Sequence, residues 1–339
     1  MKRHGNLWRE IVSEENITVA CDRASKGKKK MKSVAAFSQN REEKLCEIRQ
    51  SLLSKSFTTS RYQTKFIVEP KPRQIFILPF APDRIVQHAL MSVVEPIWDR
   101  LMIHDSYACR KGKGQHRGSL RTMEFVRKYK YCLKADISKF YPSIDHEILL
   151  KIIKRKIKCP DTLWLLDNII HSFPGGKNTP IGNYTSQWFG NLYLNELDQY
   201  LKHTFKVGPY LRYCDDFCIF SDDKKWLQEM KAIIADFLHR ELKLKYSFAE
   251  VFPVSQGVDF LGYRHFKKHI LLRKRTAKRV KAKLNKLPGM LARGEISAQK
   301  MQSTLASIKG WMKWACTRNL YLSVKIDELE ALCGAAQVL

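Results

Sequence analysis

Two adjacent aspartates, Asp215 and Asp216, interrupt an otherwise apolar stretch. The runs Tyr210 to Cys214 and Phe217 to Phe220 flank them, and the whole reads as a β-hairpin with both carboxylates at its tip. Upstream, Tyr131-Cys132-Leu133-Lys134-Ala135-Asp136 alternates like a strand and ends on a third aspartate. Taken singly, each aspartate could serve turn chemistry alone. Together they are harder to dismiss. A central strand and its neighbouring hairpin bring their ends close, and three carboxylates there repel each other unless cations sit between them. Oxygen ligands suit Mg²⁺, which keeps waters and substrate phosphates in its remaining positions. A pair of such ions about 3.5–4 Å apart activates a 3′-hydroxyl and stabilises a leaving pyrophosphate.

Charge points to the same class of substrate. The 339 residues include 61 Lys plus Arg and 33 Asp plus Glu, so the net charge is 61 − 33 = +28. Such an excess repels itself in a compact fold unless a polyanion neutralises it, which favours nucleic acid over a membrane surface. Hydrophobic residues at 44% and seven tryptophans argue against disorder. The length suits one large domain or two to three smaller ones. No long uninterrupted apolar stretch is present, so no membrane span and no membrane partner are expected. The N-terminus begins basic but develops no apolar core, so no signal peptide is expected. Nine scattered cysteines without a C-x-x-C pair argue against a zinc site and fit a reducing cytosol.

Along the chain, the basic run Lys26 to Lys32 reads as a solvated loop or a phosphate contact. A hairpin is predicted over 65–79, with Phe66-Ile67-Val68 and Ile75-Phe76-Ile77-Leu78 flanking a turn. A helix follows from about Arg84, with a kink expected at Pro96. Cys109 to Gly118 forms a basic, glycine-containing loop. Asp145 reads as the N-cap of a helix through Lys158, ended by Pro160. Another helix begins near Ser186, with Ser186 as its cap, and a third covers Lys225 to Glu241. Short strands end in Phe260-Leu261-Gly262-Tyr263. The order strand, helix, helix, hairpin, helix, strand suggests a ferredoxin-like α/β core. From Phe260 to Gly294 there is no acidic residue, and Val280, Leu284, Leu287 and Leu291 keep helical spacing. This stretch reads as amphipathic and helical with a basic outer face, beyond a domain boundary near residue 263.

Tyr213-Cys214-Asp215-Asp216 resembles the Tyr-x-Asp-Asp motif of reverse transcriptases. Lys134 to Tyr141 resembles their first aspartate motif, and Phe260 to Tyr263 their primer grip. The similarity runs from about Lys65 to Trp314. Ile181-Gly182-Asn183-Tyr184-Thr185-Ser186-Gln187 is similar to the corresponding segment of reverse transcriptases from diversity-generating retroelements. Asn191 to Asp198 and Tyr107 to Arg110 fit the same subfamily.

The resemblance implies roles. Asp136, Asp215 and Asp216 would be catalytic and hold two Mg²⁺ ions, with Mn²⁺ as a substitute, and the carbonyl of Ile137 would complete one site. Tyr141 would be the steric gate against a ribose 2′-hydroxyl, or else a core aromatic. Arg73 would meet the triphosphate, as would Lys71 unless it only coats the hairpin; Ile181 and Gln187 would lie near the nucleotide. Arg110, Leu261, Gly262, Tyr263, Arg273, Lys274 and Lys278 would meet primer or template, with packing an equal alternative for Arg110. Ile181 departs from the Pro-Gln-Gly of many reverse transcriptases, which implies looser discrimination of roughly 1–3 kcal/mol. The lysine that many members use to protonate pyrophosphate is Glu250 here, so Lys243 and Lys245 are unassigned candidates.

The implied architecture is an α+β right hand with a ferredoxin-like palm, mixed fingers and a helical thumb. Fingers would span 1–130, palm 131–146 and 181–262, a helical fingers or palm insertion 147–180, and the basic thumb 263–339. The implied function is error-prone, adenine-directed cDNA synthesis from a template-repeat RNA for targeted protein diversification. Implied partners are template RNA, the RNA–DNA hybrid, dNTPs and a small basic helical accessory protein that forms an oligomeric ring. The setting would be the cytoplasm of a bacterial or phage-infected cell. The Trp311-Met312-Lys313-Trp314 segment is either a partner site or thumb core. Alternatives are a group II intron-like or retron-like reverse transcriptase, an inactive polymerase fold that binds nucleic acid, or an RNA virus replicase. The chain after Tyr263 leaves room for a thumb but not for a further maturase and endonuclease region, and no retron-type Val-Thr-Gly occurs.

Overall fold

A computed structural model of the chain describes residues 3–68 and 72–338. The first sixty residues form helices α1 (Trp8–Ile11), α2 (Glu14–Ser25), α3 (Lys32–Gln39) and α4 (Arg41–Leu53). Strands β1 (Gln63–Ile67) and β2 (Arg73–Ile77) pair antiparallel, followed by α5 (Ile85–Asp99) and α6 (Gln115–Lys128). Then come β3 (Tyr131–Ile137), α7 (Phe140–Ser143), α8 (His146–Lys154), α9 (Pro160–His171) and α10 (Tyr184–His203). The hairpin β4 (Tyr210–Tyr213) and β5 (Asp216–Ser221) leads to α11 (Lys224–Leu242) and β6 (Tyr246–Pro253). Three short strands, β7 (Val258–Phe260), β8 (Tyr263–His265) and β9 (Ile270–Leu272), precede α12 (Lys274–Ala292), α13 (Ala298–Met312), α14 (Arg318–Ser323) and α15 (Ile326–Val338). Among the described residues, no helix is long and apolar enough to cross a membrane.

The four-stranded sheet has the order β4-β5-β3-β6. With β3 first in the chain, this is the βαββαβ order of a ferredoxin-like motif, as the sequence pattern suggests. Packing sorts the chain into two compact units that interleave along it. One comprises Met1–Arg110, Ala135–Gly208 and Met230–Ala249; the other comprises Lys111–Lys134, Pro209–Glu229 and Glu250–Leu339. The expected boundary near residue 263 falls within the second unit, in the β7–β8 hairpin. Phe260 pairs with Tyr263 across β7 and β8, and Tyr263 and Leu272 share a core with Leu284, Leu287, Met301 and Leu305. The change in composition marks where positive charge begins, and the core that Tyr263 opens is built from residues on the C-terminal side of it. Tyr263–His265 and Ile270–Leu272 are strands joined by a short turn, so the amphipathic helix starts later than expected, at Lys274.

In the first unit, α5 buries Val86, Leu90, Val94 and Trp98 and runs on past Pro96 to Asp99. Pro96 removes the N–H that would donate to the Ser92 carbonyl, yet the last turn continues past it. Asn16 fastens α2 to α5: its amide donates to the Ala89 carbonyl (3.0 Å) and accepts from Ser92 Oγ (2.6 Å). Asp145 caps α8 as expected by accepting from Ile148 N–H, but the helix stops at Lys154 rather than Lys158. The backbone beyond it is taken by His4, whose N–H donates to Lys156 O (2.7 Å) and whose carbonyl accepts from Lys158 N–H (2.8 Å). Helix α10 starts two residues before Ser186, so Ser186 is not its N-cap; its hydroxyl instead donates back to Pro180 O (2.8 Å).

In the second unit, helix α12 is basic over most of its surface and buries only Leu284 and Leu287, each worth about 1.5–3 kcal/mol of apolar burial. His265 is fully buried between Ser119 Oγ (2.7 Å) and the Val258 carbonyl (3.1 Å), and burial lowers its pKa to about 4. Trp311 stacks on Tyr263 at 5.6 Å and Trp314 on His116 at 4.5 Å. Both tryptophans therefore serve packing within this unit.

Candidate active site

Strand β3 exposes Lys134 and Asp136 partly on one face and buries Cys132, Ala135 and Ile137. Side chains two apart in a strand share a face, so the cation and the carboxylate leave β3 together. In the first unit, Ser247 on β6 fixes Asp136: its hydroxyl lies 2.7 Å from Asp136 Oδ2 and 3.2 Å from Asp136 O. The Ser138 N–H donates to Lys245 O (2.9 Å) just beyond. Ile137 is 2% exposed, so only its backbone could face a ligand.

In the second unit, Tyr213 pairs with Asp216 across β4 and β5, leaving Cys214 and Asp215 as the two-residue turn. Only Asp215 is at the tip; Asp216 already belongs to the ladder. Cys214 has φ +55°, a left-handed conformation uncommon outside glycine and asparagine. Arg212, fully buried under the turn, donates to the Cys214 carbonyl (3.0 Å). Lys134 Nζ stands 3.8 Å from Asp216 Oδ1. Lys134 thus offsets part of the Asp216 charge, where the sequence reading looked to metal cations alone. Arg212 carried a signal, being an ionic residue inside an apolar strand, and Lys134 lies two residues before Asp136.

Among the described residues, no three His, Cys, Asp or Glu side chains gather into a group able to hold a metal ion. The donors available are hard carboxylate oxygens, one held by a hydroxyl and one beside an ammonium. Asp136 in the first unit and Asp216 in the second each offer carboxylate oxygens, the donor type that Mg²⁺ takes from one or two side chains while it keeps water and substrate phosphates in its other positions.

The wall next to Asp136 belongs to the first unit. Tyr141 follows on α7, half-buried, its ring 5.2 Å from that of Phe140. Gly190 of α10 makes room for both: a Cβ there would sit 3.0 Å from Phe140 and 3.2 Å from Tyr141. Ile181 is half-buried, and its carbonyl accepts from Phe76 N–H of β2 (2.9 Å). Gln187 is exposed in the first turn of α10. Arg73 is exposed at the start of β2, paired with Ile67; Lys71 lies outside the described residues.

Several expected contacts are already occupied. Arg110 donates to Asp99 Oδ1 (2.5 Å), Ile103 O (2.7 Å), Ser106 O (3.0 Å) and Asp99 O (3.3 Å), with only 9% of its side chain exposed. It ties its own loop and has no fork left for a phosphate. Tyr263 is fully buried, and its hydroxyl donates to Trp311 O (3.2 Å). Leu261 and Gly262 form the turn between β7 and β8, both with positive φ, and Gln115 donates to Leu261 O (2.6 Å). Arg273 is paired with Asp259 (2.5 Å) and occupies the N-cap position of α12 without a side-chain cap. Lys274 and Lys278 remain exposed. Lys243, a candidate proton donor, is paired with Asp145 (2.7 Å). Burial alone would raise the Asp145 pKa, but Lys243 and the N–H groups of Ile148 and Glu147 outweigh it and hold the carboxyl below its ordinary value.

The family described as reverse transcriptase (RNA-dependent DNA polymerase) matches residues 69–265. Protein YkfC of Escherichia coli K12 is 25% identical over 239 residues, covering 56% of this chain and 62% of that protein. The group II intron-encoded protein LtrA of Lactococcus lactis is 23% identical over 304 residues, covering 66% of this chain and 49% of that protein. Nuclear intron maturase 4, mitochondrial, of Arabidopsis thaliana is 21% identical over 160 residues, covering 44% and 20%. The chain spans less than two thirds of the length of these relatives.

Proposed function

The chain belongs to the reverse transcriptase (RNA-dependent DNA polymerase) family, and from that premise we propose that it copies RNA into DNA by nucleotidyl transfer at Asp136, Asp215 and Asp216. The observation that carries this reading is a family match spanning all three aspartates, with Asp136 oriented by Ser247 and the hairpin tip held by buried Arg212. Asp136, the Ile137 carbonyl, Asp215 and Asp216 would hold two Mg²⁺ ions, or Mn²⁺ in their place, which when bound activate the primer 3′-hydroxyl and stabilise the leaving pyrophosphate. Ser247 keeps Asp136 in one rotamer. Lys134 limits repulsion at Asp216. Tyr141, backed by Phe140 and Gly190, sits under the sugar and excludes a 2′-hydroxyl. Arg73 receives the triphosphate through its fork of donors. Ile181 and Gln187 border the nucleotide, the Leu261–Gly262 turn borders the primer, and Lys274 and Lys278 meet the duplex backbone. Backbone contact of this kind positions without reading sequence.

The finer reading is a diversity-generating retroelement polymerase that misincorporates opposite template adenines and works with a small basic ring-forming accessory protein. Its support is the Ile181 to Gln187 segment, in which an apolar Ile181 replaces a polar reader. A second reading, a group II intron-like enzyme without adenine-directed errors, is supported by the similarity to LtrA and to Nuclear intron maturase 4. The test is primer extension on an RNA template, with and without the accessory protein, followed by sequencing of the cDNA. Errors concentrated at adenines and reduced by Ile181→Gln are the expected result. Errors spread evenly over the four template bases favour the second reading.

A further inference from the structure

The segment Ile181-Gly182-Asn183 is fastened to the β1–β2 hairpin at three consecutive residues, all within the first unit. Phe76 N–H donates to Ile181 O (2.9 Å). Gly182 has φ +128°, and a Cβ there would lie 2.3 Å from Phe76 O, so only glycine permits this approach. Asn183 Nδ2 lies 3.0 Å from Tyr62 Oη, which lies 2.8 Å from Ser172 Oγ.

The direction of that last chain is fixed by proton counting. Ser172 has one hydroxyl proton, and its Oγ is 2.6 Å from the Ile169 carbonyl, which can only accept. Ser172 therefore donates to Ile169, Tyr62 donates to Ser172, and the Asn183 amide donates to Tyr62. Bonds aligned in one direction polarise and strengthen each other. Burial raises the Tyr62 pKa and so keeps its proton in place. Its ring also packs edge-on against Phe76 at 6.1 Å.

Asn183 occupies the N-cap position of α10, where asparagine ordinarily bonds the helix backbone, yet it makes no side-chain cap. Gln87 of α5 takes over that duty by accepting from Tyr184 N–H (3.1 Å). The best capping residue has been diverted from its own helix to Tyr62. Helix formation does not require this; joining the turn to the hairpin does.

We propose that Tyr62 and Asn183 are positioning residues that lock the Ile181–Gly182 turn to the hairpin carrying Arg73, so that these two nucleotide-facing surfaces move as one body. The inference rests on the polymerase reading for its kinetic consequence but not for its structural one. The test uses the full chain with Tyr62→Phe, Asn183→Ser and the double variant. Serine keeps the capping preference of asparagine but is too short to reach Tyr62. Two readouts are taken: hydrogen exchange at the Phe76 amide, and KM for dNTP against kcat in primer extension. Each single variant is expected to speed exchange at Phe76 and raise KM about five-fold, the equivalent of one hydrogen bond of about 1 kcal/mol. In both, kcat should stay within roughly two-fold of wild type, as expected when binding geometry rather than chemistry is altered. The double variant should match the singles, because the two residues act through one bond. Wild-type exchange and KM in both singles would overturn the proposal, as would a double variant that loses the sum of the two. A wild-type chain that extends no primer would refute the polymerase reading alone, and exchange at Phe76 would still decide whether turn and hairpin are coupled.

Discussion

Replacing Gly182 by alanine should damage the first unit far more than its single methyl suggests. The new Cβ would fall 2.3 Å from Phe76 O and 3.2 Å from Ile75 Cγ2. To restore ordinary contact, the turn must retreat from β2 by about 1 Å, which carries the Phe76–Ile181 bond of 2.9 Å past hydrogen-bonding range. The lost bond costs about 1 kcal/mol. A φ of +128° costs a residue with a Cβ about 1–3 kcal/mol more. The sum is about 2–4 kcal/mol, to be read as a lower urea midpoint at unchanged slope. Gly175→Ala is the control. Gly175 has φ +96° but nothing within 4 Å of its Cβ position, so it isolates conformational strain from collision. A Gly182→Ala loss no larger than that of Gly175→Ala, with the Phe76 amide still protected, would refute the reasoning.

Other outcomes follow from the same contacts. His265 has its pKa lowered by burial to about 4, so between pH 6.5 and about 4 the unfolded chain binds a proton that the folded one does not. Stability should therefore fall as pH drops through that window, at up to about 1.4 kcal/mol per unit, and His265→Asn should flatten the slope. His88 is lowered to about 4 in the same direction, by burial and then by Lys28, Arg23 and Arg84, so the difference between wild type and variant is the quantity to measure. Asp145 has a depressed pKa, so its contribution is present above 3.8 and lost as pH falls below it. Lys243→Met should cost about 1–2 kcal/mol at neutral pH and converge on wild type in acid, as judged by urea midpoints across pH. Tyr141→Ala should raise ribonucleotide incorporation in primer extension; unchanged dNTP/rNTP selectivity would remove Tyr141 from the gate role.

What could be read in advance depended on range. The β4–β5 hairpin and the Asp145 cap are local patterns, and they stand within a residue of where spacing puts them. Helices α2 and α4 carry weak apolar patterns amid many charges, so the first sixty residues read only as basic and mixed. The Ser247–Asp136 bond joins positions 111 apart, which no local pattern encodes. Counting charge also cannot separate a cation seeking phosphate from one already satisfied. Arg110 finds Asp99 eleven residues away and Arg273 finds Asp259 fourteen away, whereas Lys274 and Lys278 remain exposed. The +28 excess is therefore a statement about the whole chain, and the structure decides which cations are available to a polyanion.

The central claim is that Asp136, Asp215 and Asp216 carry Mg²⁺-dependent DNA synthesis on RNA. It is tested most directly by extending a DNA primer on an RNA template with dNTPs and Mg²⁺, comparing wild type with Asp215→Asn and measuring primer–template binding in parallel. The account expects extension by wild type that chelation abolishes, and background extension by the variant with binding retained. Undiminished synthesis by Asp215→Asn would contradict it.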